Sequence, residues 1–170
     1  DDYSIKTFSL LLTSVENNDI EMVSILLEKY PVLNYFYDNP LYVAIKNGYK
    51  DMVSLLIEKG ADVNFHSPMC LIAAINTGNK EIVTFLLENG AKVDEGKDSA
   101  TPLIVAIQNK DKDLVSLLLK KGANPNFMMD KMPLDVAKKF IDMLLDNDEN
   151  TRQYIDTRSK KGVIIEFIGG

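Results

Sequence analysis

From Phe8 to Leu145 the hydrophobic positions fall into short runs at helical spacing, separated by polar turns at near-constant intervals. Four runs share one form: Met22-Val23-Ser24-Ile25-Leu26-Leu27-Glu28-Lys29, Met52-Val53-Ser54-Leu55-Leu56-Ile57-Glu58-Lys59, Ile82-Val83-Thr84-Phe85-Leu86-Leu87-Glu88-Asn89 and Leu114-Val115-Ser116-Leu117-Leu118-Leu119-Lys120-Lys121. Each reads as a helix with one apolar face. The last three run into a glycine, the residue that ends a helix at least cost because it accepts left-handed backbone. The first runs into Tyr30, so that helix either ends differently or Tyr30 bears the left-handed conformation. Ahead of these helices lie shorter apolar segments, Pro40-Leu41-Tyr42-Val43-Ala44-Ile45, Cys70-Leu71-Ile72-Ala73-Ala74-Ile75 and Thr101-Pro102-Leu103-Ile104-Val105-Ala106-Ile107. Proline suits their first turn, where its missing N–H would have no partner anyway. The unit is helix, tight turn, helix, loop.

Behind the longer helices stand Gly60-Ala61-Asp62-Val63-Asn64, Gly90-Ala91-Lys92-Val93-Asp94 and Gly122-Ala123-Asn124-Pro125-Asn126, separated by 30 and 32 residues. With Thr101-Pro102-Leu103-Ile104-Val105-Ala106 at the start of a first helix, these endings resemble the ankyrin repeat family. The resemblance implies an all-α ankyrin-repeat solenoid of helix-turn-helix units joined by short hairpin loops. Its repeats would be 8–34, 35–64, 65–94 and 95–126, with a partial or capping unit at 127–146. The repeat domain is thus expected over residues 1–146, and residues 147–170 as a non-repeat tail or the start of a further domain. The family's first-helix histidine is replaced by Tyr42, Ile72, Ile104 and Asp135, which removes the bonds it usually makes between neighbouring loops. The apolar end of the chain and its non-methionine start read as a piece of a longer protein.

With 46% hydrophobic and 26% charged residues, the composition is that of a folded globular chain with enough apolar surface for a core. A net charge of −6 without a basic run disfavours nucleic acid as a partner. No apolar stretch is long enough to span a membrane, so a membrane partner is not expected either. The lone cysteine, Cys70, and the absence of Asn-x-Ser/Thr point to a cytoplasmic setting, with the nucleus as the alternative. One Cys and one His leave no ligand pair for zinc, and no phosphate loop or nucleophile elbow occurs, so neither metal, cofactor nor catalysis is expected. Cys70 stands at the proline position of a buried helix and reads as a small apolar residue rather than a reactive thiol.

Recognition is the remaining task. The resemblance implies protein binding through the ends of the first helices and the loop tips. On this chain the helix positions are Glu16, Asn17, Lys46, Asn47, Asn76, Thr77, Gln108 and Asn109, all polar. The loop candidates are Phe36, Tyr37, Asp38, His66, Met128 and Met129, because exposed aromatic and Met side chains supply much of the energy at interfaces. Tyr35, Phe65 and Phe127 recur directly after the closing Asn, a register that suits packing against the next loop. Lysine outnumbers arginine 17 to 2, and shortened repeats with this bias look similar to poxviral ankyrin proteins, a resemblance that implies capture of a host factor; intracellular bacterial effectors and protozoan proteins fit the bias nearly as well. A monomer is expected. The alternative is an assembly element whose β-branched segment, residues 163–168, pairs with another chain or domain.

Overall fold

The structure, a computed structural model, describes residues 2–30, 39–65, 68–94 and 101–124. They form eight helices and, among the described residues, no strand: α1 Asp2–Glu16, α2 Ile20–Lys29, α3 Pro40–Lys46, α4 Lys50–Glu58, α5 Met69–Thr77, α6 Lys80–Glu88, α7 Pro102–Gln108 and α8 Lys112–Lys120. The chain divides into two compact units, residues 1–92 and 93–170. In the first, α1, α3 and α5 pack side by side as an inner row and α2, α4 and α6 as an outer row, with α1 on α2, α3 on α4 and α5 on α6. In the second, α7 packs on α8.

A left-handed residue joins the helices of every pair. The backbone N–H groups of Gly48 and Tyr49 bond the carbonyls of Ile45 and Ala44, the paired closure that lets a helix stop on a left-handed residue. Gly48 and Gly78 supply that conformation at φ +73° and +69°. Asn18 and Lys110 adopt it too, at φ +55° and +57°. The next residue then caps the outer helix: Asp19, Asn79 and Asp111 accept the N–H of Met22, Ile82 and Leu114 at 2.9, 3.1 and 3.1 Å. At the same place Tyr49 makes no cap bond, and its hydroxyl instead donates to the Glu16 carbonyl at the end of α1, 3.3 Å away. Lys110 is the costly member of this set, since a side chain disfavours left-handed backbone and neither caps nor packs there in return. Lys110→Gly is expected to raise the unfolding free energy by about 0.5–1 kcal/mol, the relief less the extra entropy of a glycine in the unfolded chain, read from urea denaturation.

The outer helices end by the same double closure. Ala61, Ala91 and Ala123 donate to Leu56, Leu86 and Leu118, and Gly60, Gly90 and Gly122 hold φ of +97°, +85° and +94°. The helix that runs into Tyr30 ends differently: Tyr30 donates to the Leu26 carbonyl and turns to extended backbone at φ −140°. Tyr30 therefore avoids the left-handed conformation.

The core repeats in register. Leu11, Leu41, Leu71 and Leu103 on the inner helices and Leu26, Leu56, Leu86 and Leu118 on the outer ones are buried. Ala44, Ala74 and Ala106 are fully buried, and Ser14 replaces the alanine in the first repeat by turning its hydroxyl to the Leu10 carbonyl, 2.8 Å away. Asn39 and Thr101 cap α3 and α7. The Nδ2 of Asn39 is buried without a partner among the described residues, whereas the Thr101 hydroxyl has no amino group to strand.

Between loops, the closing residue of one repeat bonds the backbone of the next. Asn64 donates from Nδ2 to the Gly90 carbonyl at 2.9 Å and accepts the Lys92 N–H on Oδ1 at 2.9 Å. In the second unit Asp94 accepts the Asn124 N–H at 2.8 Å. Tyr42 and Ile72, at the histidine register, are half-buried, and Ile104 is buried. Phe65, after the closing Asn, is half-buried. The expected partial unit at 127–146 and the tail at 147–170 lie outside the described residues, as do Tyr35 and Phe127.

Candidate functional site

The residues that sequence reasoning places at the ends of the first helices all stand in the last turn or cap of an inner helix, and all are exposed. Glu16 and Asn17 close α1, Lys46 and Asn47 close α3, and Asn76 and Thr77 form the last turn of α5; in the second unit Gln108 and Asn109 close α7. Their side chains divide by occupation. Asn47 donates to the Val43 carbonyl at 3.0 Å and Thr77 to the Ala74 carbonyl at 2.8 Å, so both satisfy the open end of their own helix. Lys46 and Asn76 carry no hydrogen bond or ion pair among the described residues. Because inner helices α1, α3 and α5 lie adjacent, these positions form a row at 30-residue register along one edge of the first unit.

Beside that row runs an ion pair that sequence reasoning missed. Lys50 Nζ and Glu81 Oε2 lie 2.6 Å apart, tying the start of α4 to the start of α6. The hydrogen bond and charge of Glu81 raise the Lys50 pKa, and Lys50 lowers that of Glu81 by the same two effects. Both side chains are exposed, so solvent screens the pair and its worth is small. The signal in the sequence is a lysine opening three outer helices, at 50, 80 and 112, each followed by Asp or Glu.

Cys70 is buried at the start of α5, as its place in the apolar pattern suggests. Burial, helped by the charge of Asp62, pushes its thiol up to about 12, so it stays protonated at neutral pH and is a poor nucleophile. Among the described residues no three His, Cys, Asp or Glu side chains gather to hold a metal, and no helix is long and apolar enough to cross a membrane. The loop candidates Phe36, Tyr37, Asp38, His66, Met128 and Met129 lie outside the described residues.

Helix pairs stacked in two rows at a constant register, stitched loop to loop, with the polar ends of the inner helices exposed, define a helical-repeat protein. Residues 2–67 and 66–129 match the family model described as ankyrin repeats (3 copies), which together take in most of the chain. The chain belongs to the ankyrin repeat family. No curated protein matches it. Ankyrin repeats are generally non-catalytic protein–protein interaction modules.

Proposed function

We propose that this chain binds a partner protein on the row formed by Lys46, Asn76 and their neighbours Glu16, Asn17, Asn47 and Thr77, continued in sequence by Gln108 and Asn109, together with the loop tips. The supporting observation is that Lys46 and Asn76 recur at one register, exposed, with no bond inside the described structure to account for them. Polar side chains held at fixed spacing on packed helices meet a partner with little ordering cost. The loop residues Phe36, Tyr37, Asp38, His66, Met128 and Met129 belong to the same proposal as further candidate contacts. The resemblance to poxviral ankyrin proteins suggests a host factor, met in the cytoplasm or nucleus, as that partner. No catalytic step, cofactor, nucleic acid or membrane enters the proposal.

The test compares proteins retained from cell lysate by the tagged chain and by the double variant Lys46→Glu, Asn76→Glu. Reversing one charge and adding another in the row is expected to cut recovery of the specific partner at least about tenfold, equivalent to about 1.4 kcal/mol, with an unchanged melting temperature. Equal recovery by a stable double variant rejects the row. A second pair, Tyr37→Ser and Met129→Ser, asks the same of the loop tips, and unchanged recovery there confines binding to the helices.

A further inference from the structure

Helix α5 opens differently from α3 and α7. Asn39 and Thr101, one residue ahead of those helices, are buried side-chain caps that accept the N–H of Leu41 at 2.7 Å and of Ile104 at 3.4 Å. Met69 holds the same register in α5. The helix starts on it rather than behind it, no side chain caps the first turn, and Met69 is 51% exposed. A missing cap costs stability, and burial of Met69 offsets little of that because half of the residue faces solvent. Positions that break a local rule at a cost to folding are expected at functional sites.

Two turns of α5 further on, Asn76 returns to the face of Met69, about 10 Å along the helix, with Ile72 and Ala73 half-buried between them. On the adjacent α3 the same register positions are Tyr42 and Val43, half-buried, and Lys46, exposed. Lys46 is the one charged residue on these two stripes, and it makes no ion pair among the described residues. An apolar surface with a single uncompensated cation selects its occupant by charge. A wholly apolar segment would strip water from the Lys46 ammonium and give nothing in exchange. A phosphate-bearing polymer or an anionic membrane calls for a cluster of cations rather than one. We infer, resting on the binding row proposed above, that the partner is a protein segment which sets an apolar side chain on Met69 and a carboxylate on Lys46. Met69, flexible and apolar, is the anchor. The two groups stand about 10 Å apart along the helices and about 8–10 Å apart across them, a separation that an extended segment covers in about four residues.

The probe is a phage-displayed library of random peptides about 12 residues long, selected on the 170-residue chain, with the enriched peptides then titrated by fluorescence anisotropy. They are expected to share an apolar and an acidic residue at one separation, about four positions. Met69→Thr, which brings in the residue found at position 101, is expected to weaken their binding at least about fivefold while the urea midpoint falls no lower. A structural role for Met69 gives no such pair of readouts. Met69→Gln, of similar length, repeats the comparison should Met69→Thr lower the midpoint. Lys46→Glu is expected to weaken binding as much, and a peptide with lysine in place of its acidic residue to restore it. A library that yields no binder, binders without the apolar and acidic pair, or full binding by a stable Met69 variant overturns the inference. In that last case, loss of binding by Lys46→Glu, Asn76→Glu leaves the row standing without Met69, and full binding by both rejects the row as well.

Discussion

Leu56→Ala is expected to lower the unfolding free energy by about 2–5 kcal/mol, enough to remove much of the stability of a chain this size. Leu56 is fully buried on α4, which packs on α3 and lies between α2 and α6. Deleting its isobutyl group loses the transfer free energy of the buried carbons, and helices on three sides hold the cavity open. Leu26→Ala, at the same register on α2, is expected to cost less, since Leu26 keeps 9% exposure on a helix whose Met22 and Ile25 are exposed, and water or a side-chain shift relieves the void. Stability in a repeat stack is a sum of unit and nearest-neighbour terms, so a weakened central unit also uncouples its neighbours. The Leu56→Ala transition should therefore broaden, with a smaller dependence on urea, whereas Leu26→Ala mainly shifts its midpoint. Circular dichroism through a urea titration of both variants checks the pair. Equal losses with equal slopes would show that the end repeat is as tightly held as the central one.

The helix pairs were legible because an apolar period near 3.6 marks every helix, and at most of their ends a glycine stands where the backbone must turn left-handed. Where the glycine is missing, the helices are still legible but the turn residue is not. Lys110 takes the turn that Gly48 and Gly78 take, and nothing in its side chain marks it. The start of α1 at Asp2, ahead of the repeat expected from Phe8, has no proline or matching unit to announce it. The caps Asp19, Asn79 and Asp111 stand in plain view as acids or amides ahead of each outer helix, and their spacing could have been used. At the candidate site the exposure of Lys46, Asn47, Asn76, Thr77, Gln108 and Asn109 follows from period alone, because they leave the apolar face as each inner helix ends. That Asn47 and Thr77 are turned back onto their own helices does not follow, since a side chain's choice between a nearby carbonyl and water is set by rotamer and local backbone. Long-range pairing such as Lys50 with Glu81 depends on how far one repeat is rotated against the next, which no single repeat encodes.

Asn64→Ala is the second substitution with a large expected effect, about 1–3 kcal/mol, although Asn64 lies in a loop and is only half-buried. Its amide uses both ends: the amino group reaches the Gly90 carbonyl and the oxygen receives the Lys92 N–H, two backbone groups of the next repeat that flank Ala91. Alanine removes both bonds at once, at about 1 kcal/mol each, and frees the loop to move against its neighbour. Asn64→Asp separates the two contributions. A carboxylate still accepts from Lys92 but has no proton for the Gly90 carbonyl and sets negative charge against that oxygen, so it should lose about half as much as alanine or slightly more. The chain contains the converse case at Asp94, which accepts the Asn124 N–H and has no hydrogen to give. Asp94→Asn restores the donor and is expected to raise stability by about 0.5–1.5 kcal/mol, provided that the Gly122 carbonyl stands where Gly90 stands to Asn64. Urea denaturation of the three variants orders them as Asp94→Asn above the parent, then Asn64→Asp, then Asn64→Ala. Asn64→Asp matching the parent would mean that the Lys92 bond alone joins the loops, and that the register of the stack rests on the buried leucines rather than on the closing amides.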